Sequence, residues 1–271
     1  MKVLFIGDIV GTSGQKALTQ FLPTLKQIYK PQLTIANGEN MADGRGLNEK
    51  LYKQLLHHGI DVITMGNHTW DNREIFDFID RASCLIRPIN LPKTTPGVGL
   101  RYVKVNQTEW AIVNVLGSVF MSPCLDPFDY LPPVIETIRR RTPHILIDFH
   151  AEATSEKQAL AWLLDGQVSA VLGTHTHVQT RDARILPQGT AMISDVGMTG
   201  CLDSVLGFRP QEAIRRFTSK LPARLEQATT DNIVLSAVLL DVDNVTGKTR
   251  SIEPIYITKD GMGTPSKRRF E

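Results

Sequence analysis

The chain has 271 residues, 42% of them hydrophobic and 21% charged, an ordinary globular balance that excludes an intrinsically disordered chain. Lys and Arg total 30 against 28 Asp and Glu, a formal net charge of +2, which argues against an extended nucleic-acid-binding surface. Three scattered cysteines, Cys84, Cys124 and Cys201, form no CxxC pair, so reduced thiols in a cytoplasmic protein are expected, not a disulfide framework or a zinc–thiolate site.

Residues 3–6 are a short apolar strand that meets Asp8 at once, too short for a signal-peptide core. Residues 12–28 have helical spacing, with Leu18, Phe21, Leu22, Leu25 and Ile28 on one face. A strand at 33–36 ends in Asn37-Gly38, a helix spans 48–58, a third strand covers 62–65 and a third helix 72–79. This βαβαβα order implies a parallel sheet covered by helices. Residues 99–105 and 110–115 then read as an antiparallel hairpin joined by Asn106-Gln107-Thr108-Glu109. A Pro-, Gly- and Asp-rich loop is expected over 117–133, followed by a helix over 133–141. Strands at 145–147 and 170–172 flank a helix at 155–164, and 191–194, 233–242 and 249–257 are further strands. No apolar run reaches the ~18 residues of a membrane helix, and no repeat or linker is visible. One domain over 1–271 is expected, with two β-rich regions stacked and helices outside. The basic run Lys267-Arg268-Arg269 reads as a solvated tail.

Ligands in open α/β sheets bind beyond the carboxyl ends of the strands, so the residues that follow each apolar run carry the functional signal. They are Asp8; then Asn37, Glu39 and Asn40; then Asn67 and His68; then His150; then His175 and His177. Helix capping and turn chemistry account for Asp and Asn at such places, but they do not call for histidine, still less for His-x-His. Alternate residues of an extended segment share a face, so His175 and His177 are expected to address one ion or two adjacent ions. A cluster of Asp, Glu, Asn and His without Cys suits iron, manganese, zinc, cobalt or nickel rather than calcium. Its size exceeds one tetrahedral site, so two metals sharing a carboxylate fit better. The segment Gly7-Asp8-Ile9-Val10-Gly11-Thr12-Ser13-Gly14 matches neither the dinucleotide nor the P-loop spacing.

These residues resemble the calcineurin-like metallophosphoesterase superfamily: Gly7-Asp8, Gly38-Glu39-Asn40, Gly66-Asn67-His68, His150 and Gly173-Thr174-His175-Thr176-His177 follow its motif order. Val10 stands where the first motif has His, and Glu39 replaces the bridging Asp. Both departures, with Met65-Gly66-Asn67-His68-Thr69-Trp70 and Asp195-Val196-Gly197-Met198-Thr199-Gly200, resemble one bacterial branch, the YmdB-like phosphodiesterases. The resemblance implies a four-layer αββα sandwich of two mixed β-sheets of the metallophosphoesterase type. It implies two metal ions, iron before manganese or zinc, with Asp8, Asn40 and His177 holding one, Asn67, His150 and His175 the other, and Glu39 bridging. It implies hydrolysis of 2′,3′-cyclic nucleotides, with 3′,5′-cyclic nucleotides as an extension, through attack of a metal-bridging hydroxide on phosphorus.

His68 is the candidate catalytic acid; the alternative is that it orients a ligand. Arg45 is a candidate contact to phosphate or base, Phe120, Met121, Phe128 and Tyr130 a candidate lid, and Asp195 a support. His57, His58 and His144 are expected on the surface. The expected partner is a small cyclic nucleotide, with no membrane; homo-oligomer formation stays open. The alternatives are a phosphomonoesterase or nuclease of the same superfamily, or a metal-stabilised regulatory protein.

Overall fold

Side-chain alternation along the first strand sets the layering. Val3 and Phe5 point to one side of the sheet and Leu4 and Ile6 to the other, yet all four are fully buried. A strand buried on both faces must be covered on both. Here a second sheet lies on one side and helices on the other. The computed structural model describes residues 1–222 and 224–263; the basic run at 267–269 lies outside them.

In chain order the elements are β1 (Lys2–Ile6), β2 (Asp8–Ile9), α1 (Gly11–Tyr29), β3 (Leu33–Asn37), α2 (Glu49–His57), β4 (Val62–Thr64), β5 (Leu85–Ile86), β6 (Leu100–Val105) and β7 (Thr108–Leu116). There follow α3 (Pro127–Arg139), β8 (Ile145–His150), α4 (Thr154–Leu163), β9 (Ala170–Thr174), β10 (Arg184–Ile185), β11 (Ala191–Ile193) and β12 (Met198–Cys201). The chain continues with α5 (Pro210–Ser219), β13 (Ile233–Val242), β14 (Thr249–Thr258) and β15 (Gly261–Gly263).

The first sheet runs β15-β14-β13-β1-β3-β4-β5, with β12 attached to β13 and β2 to β12. The second runs β10-β11-β9-β8-β7-β6. Both are mixed. β1, β3, β4 and β5 are parallel neighbours while β13 is antiparallel to β1. In the second sheet β7, β8, β9 and β11 are parallel and the edges β6 and β10 antiparallel.

Between the sheets lies an apolar layer in which Val3, Phe5 and Ile35 meet Trp110, Ile112, Leu146 and Leu172. On the far side of the first sheet, Leu4, Ile6 and Ile63 pack with Leu18, Leu22 and Leu55 of α1 and α2. On the far side of the second, Val113, Ile147 and Phe149 pack with Leu131, Ile135 and Leu160 of α3 and α4. The result is the αββα sandwich. Each fully buried Leu, Ile or Phe stabilises it by about 1.5–3 kcal/mol. No helix among the described residues is long and apolar enough to cross a membrane.

Several local expectations need correction. Residues 72–79 form no α-helix but two 3-10 turns, Arg73–Asp77 and Ile79–Arg81, with the Asn72 side chain accepting from the Glu74 amide. The hairpin turn is tighter than expected: Val105 faces Thr108, so only Asn106 and Gln107 lie outside the ladder, with Asn106 at φ 55°. The 117–133 loop ends early because Asp126 caps α3, accepting from the Phe128 amide, with Pro127 in the first turn. That is the position where proline's missing N–H costs nothing. Ile28 is half exposed rather than on the buried face of α1. His144 is buried, its ring 5.2 Å from that of Trp110. Sequence reasoning misses helix α5, whose apolar Ile214 and Phe217 share a face but lie exposed, Ala213 being its one buried residue.

Candidate metal centre

Parallel strands of one sheet end together, and here both sheets end at the same edge of the sandwich. Past β1 comes Asp8, past β3 come Glu39 and Asn40, and past β4 come Asn67 and His68. From the second sheet, β8 ends on His150, paired in register with Thr174, the last residue of β9; His175 and His177 follow. All but His175, His177, Asn67 and His68 are buried, and those four are partly exposed along the open side.

The donor atoms of Glu39, His150 and His175 lie within 4.8 Å of one another. His150 Nε2 is 2.9 Å from Glu39 Oε1, 2.9 Å from Asn67 Oδ1 and 3.0 Å from His175 Nδ1. Asp8 stands beside them, with His177 Nε2 at 3.9 Å and His150 Nδ1 at 3.8 Å from Oδ1, while Oδ2 accepts from the His175 amide at 3.2 Å. The structure thus brings Asp8, Glu39, Asn67, His150, His175 and His177 together. Asn40 joins them through the loop that follows Glu39: its Nδ2 donates to the Gly44 carbonyl at 3.0 Å, which leaves its oxygen free.

Two observations show that this set fits a cation. Asp8 Oδ1 and Asn40 Oδ1 are both buried, and both lack a hydrogen-bond partner. A buried polar atom without a partner is costly, and two such oxygens beside three imidazoles form a donor set that metal ions would satisfy. The electrostatics agree. Burial pushes the carboxyls of Asp8 and Glu39 up to about 7, against the opposing pull of His150 on the first and His68 on the second. Burial likewise depresses His150 and His175 to about 3 and lowers His177. The imidazoles are therefore neutral, as ligation requires, while the carboxylates await a compensating positive charge.

Around this cluster lies a supporting layer that the sequence pattern does not expose. Thr174 donates its hydroxyl proton to Asp148 at 2.6 Å and faces His150 Nδ1 at 2.9 Å. Its oxygen is thereby an acceptor for His150, which puts the imidazole proton on Nδ1 and leaves Nε2 with its lone pair toward the cluster. Such partners fix the tautomer of ligating histidines. Asn37 anchors Asp148 in turn, at 3.0 Å.

The expected extended His-x-His is corrected by the structure. His175 and His177 have φ of 100° and 64°, so the two rings reach the site through a left-handed backbone rather than through strand alternation. Such backbone costs about 1–3 kcal/mol per residue and must be held from outside. Asp195 does this: its Oδ2 accepts from the Thr176 amide at 2.9 Å and the Thr176 hydroxyl at 2.8 Å, and from the buried Lys157 ammonium at 2.9 Å. His177 Nδ1 further donates to the Leu206 carbonyl at 3.1 Å.

A cavity of about 220 Å³ opens over the cluster, lined by Glu39, Asn40, Arg45, His68, His175 and His177 among others. His68 sits at its rim. Its amide donates to Glu39 Oε2 at 2.9 Å, and its Nδ1 is 2.8 Å from Asp71 Oδ2. Sequence reasoning misses both Asp71 and Glu152, whose Oε2 is 3.1 Å from His175 Nε2; the His68-x-x-Asp71 spacing is the available signal. Of the four expected lid residues, Phe120 is exposed and Phe128 and Tyr130 pack against the second outer core. None of them lines this cavity. Cys201 is buried with its sulfur 3.2 Å from Thr230 Oγ1, and His57 and His58 lie outside the site.

The family model for YmdB-like proteins matches residues 4–255. The 2′,3′-cyclic-nucleotide 2′-phosphodiesterase of Bacillus subtilis (strain 168) is 53% identical over 97% of this chain and 99% of its own length. Among solved structures, a hypothetical protein from Thermus thermophilus superposes with a TM-score of 0.89 at 39% identity, covering 95% of this chain and 99% of that one. The structure titled a novel phosphatase from Mycoplasma pneumoniae gives 0.90 at 35% identity, covering 98% and 95%.

Proposed function

The chain belongs to the YmdB-like family, and from that premise we propose that it is a metal-dependent phosphodiesterase that opens 2′,3′-cyclic nucleotides at the 2′ oxygen. The observation that carries this reading is the grouping of the Glu39, His150 and His175 donor atoms within 4.8 Å of one another, together with the buried, unpartnered oxygens Asp8 Oδ1 and Asn40 Oδ1. On this reading Asp8, Asn40 and His177 would hold one ion and Asn67, His150 and His175 a second, with Glu39 as a carboxylate available to both. The mixed oxygen and nitrogen donors suit iron, our assignment, and also manganese or zinc. When bound, such ions supply Lewis-acid stabilisation of phosphoryl oxygens and an acidified water.

The chain's own residues supply positioning and the proton. The strand ends hold the donors in a buried, desolvated setting, where charge interactions are strong. His68 stands at the cavity rim with its Nδ1–H held by Asp71; acting as the imidazolium, it gives its Nε2 proton to the departing 2′ oxygen and keeps the Nδ1 proton on Asp71. Arg45, on the same wall, offers a guanidinium to a phosphate oxygen. Extension of activity to 3′,5′-cyclic nucleotides is part of the proposal, because the same donor set and Arg45 would address the phosphate of either cyclic diester.

The test is a panel of 2′,3′-cyclic and 3′,5′-cyclic nucleotides, 3′-nucleoside monophosphates, and mono- and bis-p-nitrophenyl phosphate, with metal analysis of the same preparation. Conversion of a 2′,3′-cyclic nucleotide to its 3′-monophosphate is expected. The phosphatase title of the Mycoplasma pneumoniae structure favours one rival, a phosphomonoesterase; faster turnover of monoesters than of diesters would establish that rival instead.

A further inference from the structure

The cavity over the metal-ligand cluster does not end at its own wall. Arg45 and Phe208 line it and also line a neighbouring cavity of about 350 Å³, whose other walls are Asp43, Arg216, Arg224 and Leu225. Three guanidiniums therefore share one cavity with a single carboxylate. Among the described residues none of the three makes an ion pair, whereas Arg209, next to Phe208, is paired with Glu226 at 2.8 Å. The three arginines are solvent-exposed at the mouth, and Phe208 is half-buried.

Residues distant in sequence build this second cavity and are tied to one another. Phe208 bridges Gln227, the Arg209 amide donates to the Glu226 carbonyl at 2.8 Å, and the Ala228 amide to the Gly207 carbonyl at 2.9 Å. Glu212 of α5 accepts from the Glu226 amide at 2.7 Å. These bonds place Arg216 of α5 and Arg224 of the following loop on the same lobe as Leu206, whose carbonyl holds His177. The arginine cavity and the metal-ligand cluster are therefore parts of one continuous wall.

We propose that this cavity is a subsite for a second phosphate, carried on the 5′ side of the cyclised ribose. Guanidinium forks match phosphate oxygens in geometry and charge. With the cyclic phosphate at the metal centre, the 5′ oxygen is the natural exit, and Phe208 on the shared wall offers a ring for the intervening base to stack on. The substrate class is accordingly a nucleotide with at least two phosphates: a short oligonucleotide ending in a 2′,3′-cyclic phosphate, or a 5′-phosphorylated 2′,3′-cyclic mononucleotide. A patch of three arginines on a chain of net charge +2 suits such a short ligand and not a long duplex. The inference rests on the phosphodiesterase reading.

Three substrates test it with the metal-loaded enzyme: adenosine 2′,3′-cyclic phosphate, its 5′-phosphorylated form, and an adenine dinucleotide ending in 2′,3′-cyclic phosphate. Wild type is compared with the Arg216→Ala/Arg224→Ala double variant. Wild type is expected to favour a two-phosphate substrate by about tenfold in kcat/KM, mainly through KM, the size of one good charged hydrogen bond. The preference should shrink as salt is raised. The double variant should lose the preference and keep its rate on the one-phosphate substrate. A gain for the 5′-phosphorylated mononucleotide alone supports the subsite with a terminal phosphate as its ligand; a gain for the dinucleotide alone supports it with an internal diester. Turnover of the one-phosphate substrate with no preference, or a preference that survives in the double variant, overturns the subsite while leaving the phosphodiesterase reading intact. Absence of turnover on all three overturns both.

Discussion

The Nδ1 atom of His68 stands 2.8 Å from Oδ2 of Asp71, one turn further along the chain. A carboxylate at that distance holds the Nδ1 proton, so under the proposed acid role the proton given up is the one on Nε2 of the doubly protonated ring. His68→Ala is expected to lower kcat by about 10²–10⁴-fold on a cyclic nucleotide, the usual span for a general acid. Asp71→Asn should give a smaller loss in the same direction. In both variants the metal content stays at the wild-type level, and a p-nitrophenolate leaving group, which needs no proton, restores much of the rate. Loss of metal in His68→Ala would instead assign it the orienting role.

If Asp8 and Glu39 are ligands as proposed, metal loading depends on pH. Burial raises both folded-state carboxyls to about 7, far above their unfolded values. In the metal-free chain the stability they contribute is therefore present at acid pH and lost as pH rises through 7. Metal binding runs the other way, because the ligands must give up their protons. Calorimetry in buffers of different ionisation heat should find more protons released at pH 6 than at pH 8, and weaker binding at pH 6. An affinity that is flat from pH 5.5 to 8 would contradict this assignment.

Gly66 is a steric keystone of the site. A Cβ there would stand 2.4 Å from His150 Cδ2 and 2.5 Å from Glu39 Oε2, closer than real contacts allow. Gly66→Ala must push apart His150 and Glu39, two of the proposed ligands. Overpacking of this kind costs about 1–3 kcal/mol. The expected result is a modest fall in Tm with a large loss of bound metal, read by elemental analysis and thermal unfolding of the same sample.

The Lys157–Asp195 pair is buried on both sides, with 2% and 1% side-chain exposure and a separation of 2.9 Å. Removing one partner strands a charge in the interior, at a cost of about 3–5 kcal/mol. Lys157→Ala should therefore lower the denaturation midpoint strongly, and the Lys157→Met/Asp195→Asn double variant should recover much of it. Because Asp195 also holds Thr176 between the two strained histidines, the double variant is expected to fold yet bind metal more weakly.

His144 supplies a pH effect remote from the metal centre. Burial lowers its pKa, while the Asp243 carbonyl, 3.0 Å from Nε2, pulls the other way. Above about 6.5 the ring is neutral in both folded and unfolded chains and contributes nothing to the pH dependence. Below that value the unfolded chain takes up a proton that the folded chain resists, so stability is lost as pH falls. His144→Gln should lose less Tm than wild type between pH 7.5 and 5.5; equal losses would remove His144 as the cause.

Much of this site is legible in the residues themselves. Short apolar runs ending in Asp8, Glu39, Asn67-His68, His150 and His175-x-His177 mark strand ends, because periodicity and turn chemistry are local properties of the chain. The alternation of Val3 and Phe5 against Leu4 and Ile6 likewise carries the two-sided burial of the first sheet. Helix α5 carries a local signal in Ala213, Ile214 and Phe217 on one face that sequence reasoning misses, and the 3-10 turns at 73–81 read as α-helix because the Asn72 cap marks a helical start of either kind.

The sequence by itself determined which donors this protein owns and that each stands at the end of a strand. Only the tertiary structure decided that donors more than a hundred residues apart meet within hydrogen-bonding distance, since that depends on two sheets packing face to face. It also decided the positive φ of His175 and His177, the Thr174–Asp148 contact that sets the His150 tautomer, and the amide orientation of Asn40. Each of these is imposed by partners remote in sequence, and the hydrogen bonds and burial they supply outweigh what the local chain would choose on its own.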